Sequence, residues 1–238
     1  MSETAVAERA AFTGFTPQLF DFFDALAANQ NREWFQANRD SYERHCRAPM
    51  AAFVDALAFA FAVHEIPLTG SAKESLFRVN RDTRFSKDKR PYKTNIAAVL
   101  TRDGVKGGKG VFYISLGGHG VERGGMLGAG FYGPDGEDLA RMRGAIARAP
   151  DAWLEAEAAL GRARLQLSRE GSLKRLPKGF EDQAQSPVAE ALKLRSYHAW
   201  RAIPAESLCA DALVDEAVHV ARGALSLLQF GWSAFSGR

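Results

Sequence analysis

Cysteine is scarce in this chain, which has two, Cys46 and Cys209, far apart and without a cluster of other ligands beside them. This argues against a disulfide-stapled scaffold and against a cysteine zinc site. Long apolar runs are also missing, since no stretch approaches the ~18 uninterrupted apolar residues typical of a membrane span. The first residues, Met-Ser-Glu-Thr-Ala-Val-Ala-Glu-Arg, lack the apolar core of a secretion signal. We therefore expect a cytoplasmic protein with no membrane partner.

The composition is that of an ordinary globular protein. Of the 238 residues, 46% are hydrophobic, 11% aromatic and 25% charged, which is enough apolar surface to form a core and argues against intrinsic disorder. Neither an internal repeat nor a low-complexity linker divides the chain. We therefore predict a loose tail over residues 1–11 and a single domain over residues 12–235.

Hydrophobic periodicity predicts an α+β fold. Residues 16–63 carry apolar side chains at helical spacing and begin with Thr16-Pro17, a helix cap followed by proline. Residues 74–132 alternate in short runs and predict a central antiparallel sheet of about four to six strands, with connections too short for parallel crossovers. Residues 136–235 mix helices with short strands and close with a long helix from Glu206 to about Phe230.

Four short β-like stretches between residues 74 and 132 are predicted to form most of the sheet, and two further strands are expected later in the chain. Thirteen of the 22 glycines lie between residues 104 and 136, which is typical of hairpin turns, bulges or close backbone approaches. The predicted strands are Leu76–Asn80, Thr94–Leu100, 110–116 and 126–132 in the sheet region, and then Leu165–Leu167 and Ser196–Ile203.

One glycine pattern resembles a dinucleotide-binding motif. Gly128-Ala-Gly130-Phe-Tyr-Gly133 matches the letters G-x-G-x-x-G, in which a helix N-terminus holds a pyrophosphate. However, Pro134 follows at once and no βαβ unit surrounds the motif. We interpret it as a glycine-bent strand.

Charge is distributed unevenly along the chain. The net charge is +3, but residues 73–109 contain eleven Lys or Arg against four Asp or Glu. Residues 161–178 form a second, smaller basic stretch. A basic block in a nearly neutral protein favours the binding of anions, although such runs are more often solvated surface with internal ion pairs.

Residues 78–93, here named the arginine segment, contain most of this charge. Guanidinium groups suit the paired oxygens of phosphates and carboxylates, and the lysines add point charges. A tyrosine hydroxyl can add a hydrogen bond. The predicted ligand-binding residues are Arg78, Arg81, Arg84, Lys87, Lys89, Tyr92 and Lys93. The alternative is a network of ion pairs that holds a loop over the sheet.

The same segment resembles a known family. The pattern Arg78-x-x-Arg81-Asp82-x-Arg84-Phe85, followed by Asp88-Lys89 and Tyr92, is similar to the hallmark of the bacterial domain of unknown function 2461 family. Further similar segments are Asn31-Arg-Glu-Trp34-Phe35 with Tyr42, Gly128–Tyr132 followed by Pro134, and Leu173–Phe180. The resemblance spans roughly residues 12–232. It implies membership of a conserved bacterial family and no particular activity.

Candidates for proton transfer are few. Asp82 and Asp88 could act as acid or base, but their basic neighbours favour ordinary ionised carboxylates. His119, in Gly117-Gly-His-Gly, could act from a flexible loop. No histidine pair has metal-ligand spacing, so we expect no metal, and no pattern identifies a cofactor or an oligomeric state.

Three functional hypotheses follow from these residues. The first is binding of a phosphorylated or other anionic ligand, with nucleic acid included because Phe85 and Tyr92 could stack on bases. The second is an enzyme that acts on a phosphorylated small molecule, with Asp82, Asp88 or His119 as acid or base. The third is a structural or interaction module whose charges pair internally.

Overall fold

The computed structural model describes residues 12–117, 123–210 and 212–236. It confirms the α+β class, with an N-terminal helical segment, a five-stranded antiparallel sheet and a long C-terminal helix. The predicted tail over residues 1–11 lies outside the described residues.

The N-terminal segment is helical because its caps and apolar spacing agree. Pro17 occupies the first turn of the first helix, and the Asn31 side chain caps the second helix by accepting a hydrogen bond from the backbone N–H of Trp34 at 2.8 Å. The elements are α1 (Pro17–Ala28), α2 (Arg32–Ala37), α3 (Arg39–Tyr42), a π-helical turn (Glu43–Arg47), α4 (Ala48–Val63) and α5 (Ala72–Ser75).

The helical stretch Arg39–Val63 is long and apolar enough to cross a membrane by length and composition alone. One third (33%) of its most apolar window is buried in the structure, and the buried side includes Met50, Phe53 and Leu57. Core helices of soluble proteins pass the same test, so the stretch is weak evidence for a span. The absence of a membrane partner stays a prediction.

The sheet has five strands, which are β1 (Asn95–Thr101), β2 (Val111–Gly117), β3 (Gly124–Phe131), β4 (Gln166–Leu167) and β5 (Tyr197–Pro204). They lie side by side in the order β1-β2-β3-β5-β4. In the pair β4–β5, Gln166 lies opposite Trp200 and Leu167 opposite Ala199. The sheet therefore includes two strands that lie beyond residues 74–132, the region predicted to supply most of it.

The predicted strand Leu76–Asn80 is wrong. This stretch makes only isolated bridges, Leu76 to Ala98 and Asn80 to Tyr92. The chain turns away after Asn80, where the N–H of Arg81 donates to the carbonyl of Pro91 at 2.8 Å. The alternating apolar and polar residues of this stretch therefore belong to an extended segment that leads into a loop. A ladder of strand hydrogen bonds cannot continue past the turn.

The predicted start of the closing helix at Glu206 is also wrong. A short helix ends at Leu208, and the long one begins at Leu213. Both leucines are buried, but five residues apart on one helix they would lie about 140° apart. The break between the two helices lets both leucine side chains face the core.

The C-terminal helices are α6 (Gly136–Arg148), α7 (Pro150–Arg162), α8 (Ala189–Leu192), α9 (Ala205–Leu208) and α10 (Leu213–Ser236), with a 3-10 turn at Glu181–Gln185.

The described residues divide into two compact units. The first comprises residues up to Lys106 with Tyr113–Leu127 and Ala202–Val218, and the second comprises Gly107–Phe112, Gly128–Arg201 and the remainder from His219. In the first, α1 and α4 bury a core that includes Leu19, Phe23, Leu26, Phe53, Leu57 and Phe61. The single-domain assignment stays a prediction.

The core of the second unit forms around Trp153. This side chain is fully buried, and its ring meets those of Tyr197 and Phe230 edge to face at 5.5 Å each. Met142 and Ile146 of α6 are also fully buried. Aromatic pairs of this geometry add to the free energy gained from burial.

Candidate anion-binding cleft

A cleft of about 630 Å³ lies within the first unit. One wall comes from α2, α3 and the π-helical turn, and the other from α5 and the residues that lead into the arginine segment. This space, named the first cleft, is of the size that holds small ligands.

Buried aromatic rings line the first cleft. Phe35 stacks on Tyr92 with ring centroids 4.4 Å apart and planes 18° apart, and it meets Tyr42 at 5.5 Å. All three are buried. Burial is also the main cause that raises the pKa of the Tyr42 hydroxyl, which therefore stays neutral. The rings provide an apolar floor.

The π-helical turn Glu43–Arg47 shapes this wall. Its widened hydrogen bond joins the N–H of Ala48 to the carbonyl of Glu43. Glu43 and Arg47 line the cleft, whereas Cys46 is fully buried, and burial raises the pKa of its thiol. Cys46 thus acts as a small buried hydrophobic side chain. Such turns are rare and frequently occur at functional sites.

The charges that line the first cleft are mostly positive. Glu43 is the one acidic side chain among its described lining residues, and Arg47 pairs with it at 3.2 Å. Among the described residues, no carboxylate pairs with Arg39, Arg78 or Lys106, all of which are exposed. The basic lining residues are Arg39, Arg47, Lys73, Arg78 and Lys106. An electropositive rim therefore surrounds the aromatic floor.

The centre of the arginine segment forms an ion-pair cluster, defined as Arg81, Asp82, Arg84, Asp88 and Arg90. Asp88 accepts from both Arg81 and Arg90, the latter at 2.7 Å. The Arg84 guanidinium donates a hydrogen bond to each carboxylate oxygen of Asp82, at 3.0 and 2.7 Å. Each of these arginines already has a carboxylate partner, so a ligand would have to compete for the N–H groups that bind it or use the donors that remain.

The carboxyl groups of this cluster have lowered pKa values. Hydrogen bonds from Arg84 lower the pKa of Asp82, and hydrogen bonds from Arg90 and then Arg81 lower the pKa of Asp88. Both groups are therefore ionised at a pH where a free aspartate, with a pKa of about 3.9, is half protonated. Their acceptor positions are occupied, which disfavours proton transfer near neutral pH.

We expect the Asp88 ion pairs to persist below pH 4. Because the native pKa is depressed, the stabilisation from these pairs is present above the unfolded pKa and is lost as the pH falls through the native value. An NMR titration of side-chain carboxyl carbons measures this, with the urea-unfolded chain as reference. An Asp88 midpoint equal to the unfolded one would contradict the pairing.

The predicted binding residues separate into three groups. Arg78 and Tyr92 line the first cleft. Arg81 and Lys93 line a second cleft of about 420 Å³ in the same unit, together with Asp82, and this space is named the second cleft. The residues that line neither cleft are Arg84, Lys87 and Lys89.

The predicted base-stacking residue Phe85 is not among the described residues that line the two clefts. Phe85 is 95% exposed, with the Arg84 guanidinium 5.8 Å from its ring centroid. His119 lies outside the described residues, so its proposed role stays a prediction. Within residues 12–117, 123–210 and 212–236, no group of three or more His, Cys, Asp or Glu could hold a metal ion.

Sequence reasoning missed most of the residues that line the first cleft. Lys73 and Lys106 fall in the basic block 73–109 but outside the arginine segment. Arg39, Tyr42, Glu43 and Arg47 come from the N-terminal helices. Their spacing of three and four residues places them on one helix face, and this was the signal that could have identified them.

Comparison with known proteins identifies a family. The sequence model of a family described as "Conserved hypothetical protein (DUF2461)" matches residues 18–230. No curated protein and no solved structure matches the chain.

Proposed function

The chain belongs to the conserved hypothetical protein family DUF2461, and we propose that its first cleft binds a small phosphorylated molecule with an apolar or aromatic part. The observation that carries the proposal is a rim of three cations, Arg39, Arg78 and Lys106, around buried aromatic rings; none of the three forms an ion pair with a carboxylate in the part of the chain that the structure describes.

The unpaired cations favour a phosphorylated ligand. Arginine presents parallel N–H donors that match phosphate oxygens, and lysine adds a compact positive charge. Because Arg39 and Arg78 have no carboxylate partner among the described residues, an incoming anion does not have to break an ion pair. A carboxylate ligand would use the same donors, but five basic side chains against one acidic residue favour a group with more than one negative charge.

The floor of the cleft favours a ligand with an apolar or aromatic portion. Tyr42, Phe35 and Tyr92 are held in place by their mutual contacts, so they offer a preformed surface. The volume of about 630 Å³ suits a mononucleotide-sized molecule better than a long polymer. Nucleic acid remains the second candidate because the exposed ring of Phe85 could stack on a base.

We expect Arg78→Ala to weaken binding of the phosphorylated ligand by roughly 10- to 100-fold, the usual effect of losing a charged hydrogen bond. The measurement is a thermal-shift titration with phosphate, sugar phosphates, mononucleotides and short oligonucleotides at low and high salt. A ligand at a hundredfold excess over its Kd adds about 2.7 kcal/mol to the free energy of unfolding, so the loss of this added stability in the variant is easily measured.

Arg84→Ala is the matched control. It removes one arginine from the same segment, but Arg84 is bound to Asp82 and lines neither cleft. Equal weakening of ligand binding in both variants would indicate general charge attraction and would contradict the proposal that the ligand binds in the first cleft. A response to every oligonucleotide that falls steeply with salt would favour nucleic acid. No response to any of these anions would favour a purely structural role for the segment.

A further inference from the structure

The second cleft contains a lysine in unusual surroundings. Lys93 lines this space of about 420 Å³ together with Phe77, Arg81, Asp82 and Asn95. No carboxylate pairs with the Lys93 ammonium among the described residues, and its nitrogen lies 5.4 Å from the centroid of the Phe77 ring. Asp82, the acidic residue of this cleft, is bound by Arg84. The amine is therefore held against an aromatic face beside open space.

The surroundings of Lys93 make its ammonium easier to deprotonate than that of a free lysine. Burial lowers the pKa of Lys93, and the positive charge of Arg78 lowers it further. Partial desolvation beside a second cation is one of the arrangements that turns lysine into a nucleophile near neutral pH. The other charged side chains around it are Arg81 and Asp82 in the cleft and Lys106, 5.7 Å from the same Phe77 ring.

Two neighbours in the arginine segment lack these surroundings. Lys87 and Lys89 line neither cleft, and Lys89 donates to the carbonyl of Thr83 at 2.9 Å. All three lysines lie within seven residues of one another, so a single proteolytic map can compare them.

We infer that Lys93 is a nucleophile that forms a Schiff base with an anionic aldehyde or ketone bound in the second cleft. The neutral amine forms a bond to the carbonyl carbon, and its proton passes to the carbonyl oxygen to give a carbinolamine. Loss of that oxygen as water leaves the imine, so an amine and a carbonyl yield an imine and water without any oxidation or reduction.

Arg81 determines the ligand class. Arg81 lines the second cleft while its Nη1 pairs with Asp88, and the remaining guanidinium donors can hold a carboxylate or phosphate on the carbonyl compound. Phe77 lines both clefts, but Arg81 and Lys93 line only the second, and the rim cations Arg39, Arg78 and Lys106 line only the first. The inference therefore does not depend on the proposed function, and either can fail alone.

Reductive trapping tests this reaction. The whole protein is incubated at pH 7 with glyoxylate, the smallest anionic aldehyde, and cyanoborohydride, which converts an imine to a stable carboxymethyl-lysine. Peptide mass spectrometry then measures the modified fraction at each lysine. We expect Lys93 to be modified several-fold more than Lys87 or Lys89, and more by glyoxylate than by the uncharged propanal.

Two variants complete the test. Lys93→Arg keeps the positive charge and should abolish the selective modification with an unchanged circular dichroism spectrum. Lys87→Arg replaces a lysine that lines neither cleft and should leave modification of Lys93 intact. Modification of Lys93 no greater than that of Lys87 and Lys89 would overturn the inference, and a preference for propanal over glyoxylate would overturn the anionic ligand class.

Discussion

Gly130→Ala is expected to lower the free energy of unfolding by roughly 2–6 kcal/mol, the combined cost of backbone strain and overpacking. Gly130 has a φ of 133°, which L side chains rarely adopt. A Cβ atom there would lie 2.3 Å from the carbonyl oxygen of Tyr197 and 2.6 Å from the Cα of His198. Both obstacles are backbone atoms of β5, so they cannot move without disturbing the strand.

Urea denaturation of the variant measures this loss, with Gly136→Ala as the control. Gly136 is the first residue of α6, and nothing lies within 4 Å of a Cβ atom built there. Its replacement should change the stability by no more than ~1 kcal/mol, in the favourable direction because alanine is the better helix former. Equal stability of the two variants would contradict the close approach at Gly130.

Close packing against β5 also explains the G-x-G-x-x-G pattern, to which Gly130 belongs. A Cβ atom at Gly128 would lie 2.7 Å from the carbonyl oxygen of Ala199, so both Gly128 and Gly130 permit close contact with β5. They lie within β3 and not at the start of a helix. The interpretation as a strand rather than a phosphate-binding loop was correct, and the flanking Pro134 was the informative residue.

The sequence predicted most of the fold because its periodicity reflects burial. Val111–Gly117 alternates and forms β2, and Pro150 begins α7 as its position predicts. The prediction failed where tertiary contacts interrupted a local pattern, as in Leu76–Asn80, which forms isolated bridges and no strand, and at the break before Leu213. Such breaks depend on which distant side chains become buried, and this cannot be deduced from spacing alone.

The candidate site was predicted only in part. The arginine segment identified the region, but spacing cannot distinguish Arg78, which has no carboxylate partner among the described residues, from Arg81, which pairs with Asp88. That difference depends on how the loop from Arg81 to Pro91 closes. Arg39 and Arg47 come from a helix some forty residues earlier, so only the tertiary structure brings them to the first cleft.

Phe35→Ala is expected to lower the free energy of unfolding by about 3–5 kcal/mol, as for other large-to-small core substitutions. Phe35 is 7% exposed and its ring contacts those of Phe22, Tyr42 and Tyr92. Removing it opens a cavity beneath the first cleft. The control is Phe59→Ala, because Phe59 is 72% exposed and its loss should change stability by less than about 1 kcal/mol.

Phe35→Leu separates the stability of the fold from ligand recognition. Leucine fills more of the site than alanine, so this variant should fold and lose less stability than Phe35→Ala. It cannot stack on Tyr92, however, and the floor of the first cleft loses its planar surface. We therefore expect thermal-shift titrations of Phe35→Leu to show an unchanged response to inorganic phosphate and a weaker one to a mononucleotide. Equal weakening of both responses would mean that Phe35 only supports the fold, and equal retention would mean that the aromatic floor does not contact the ligand.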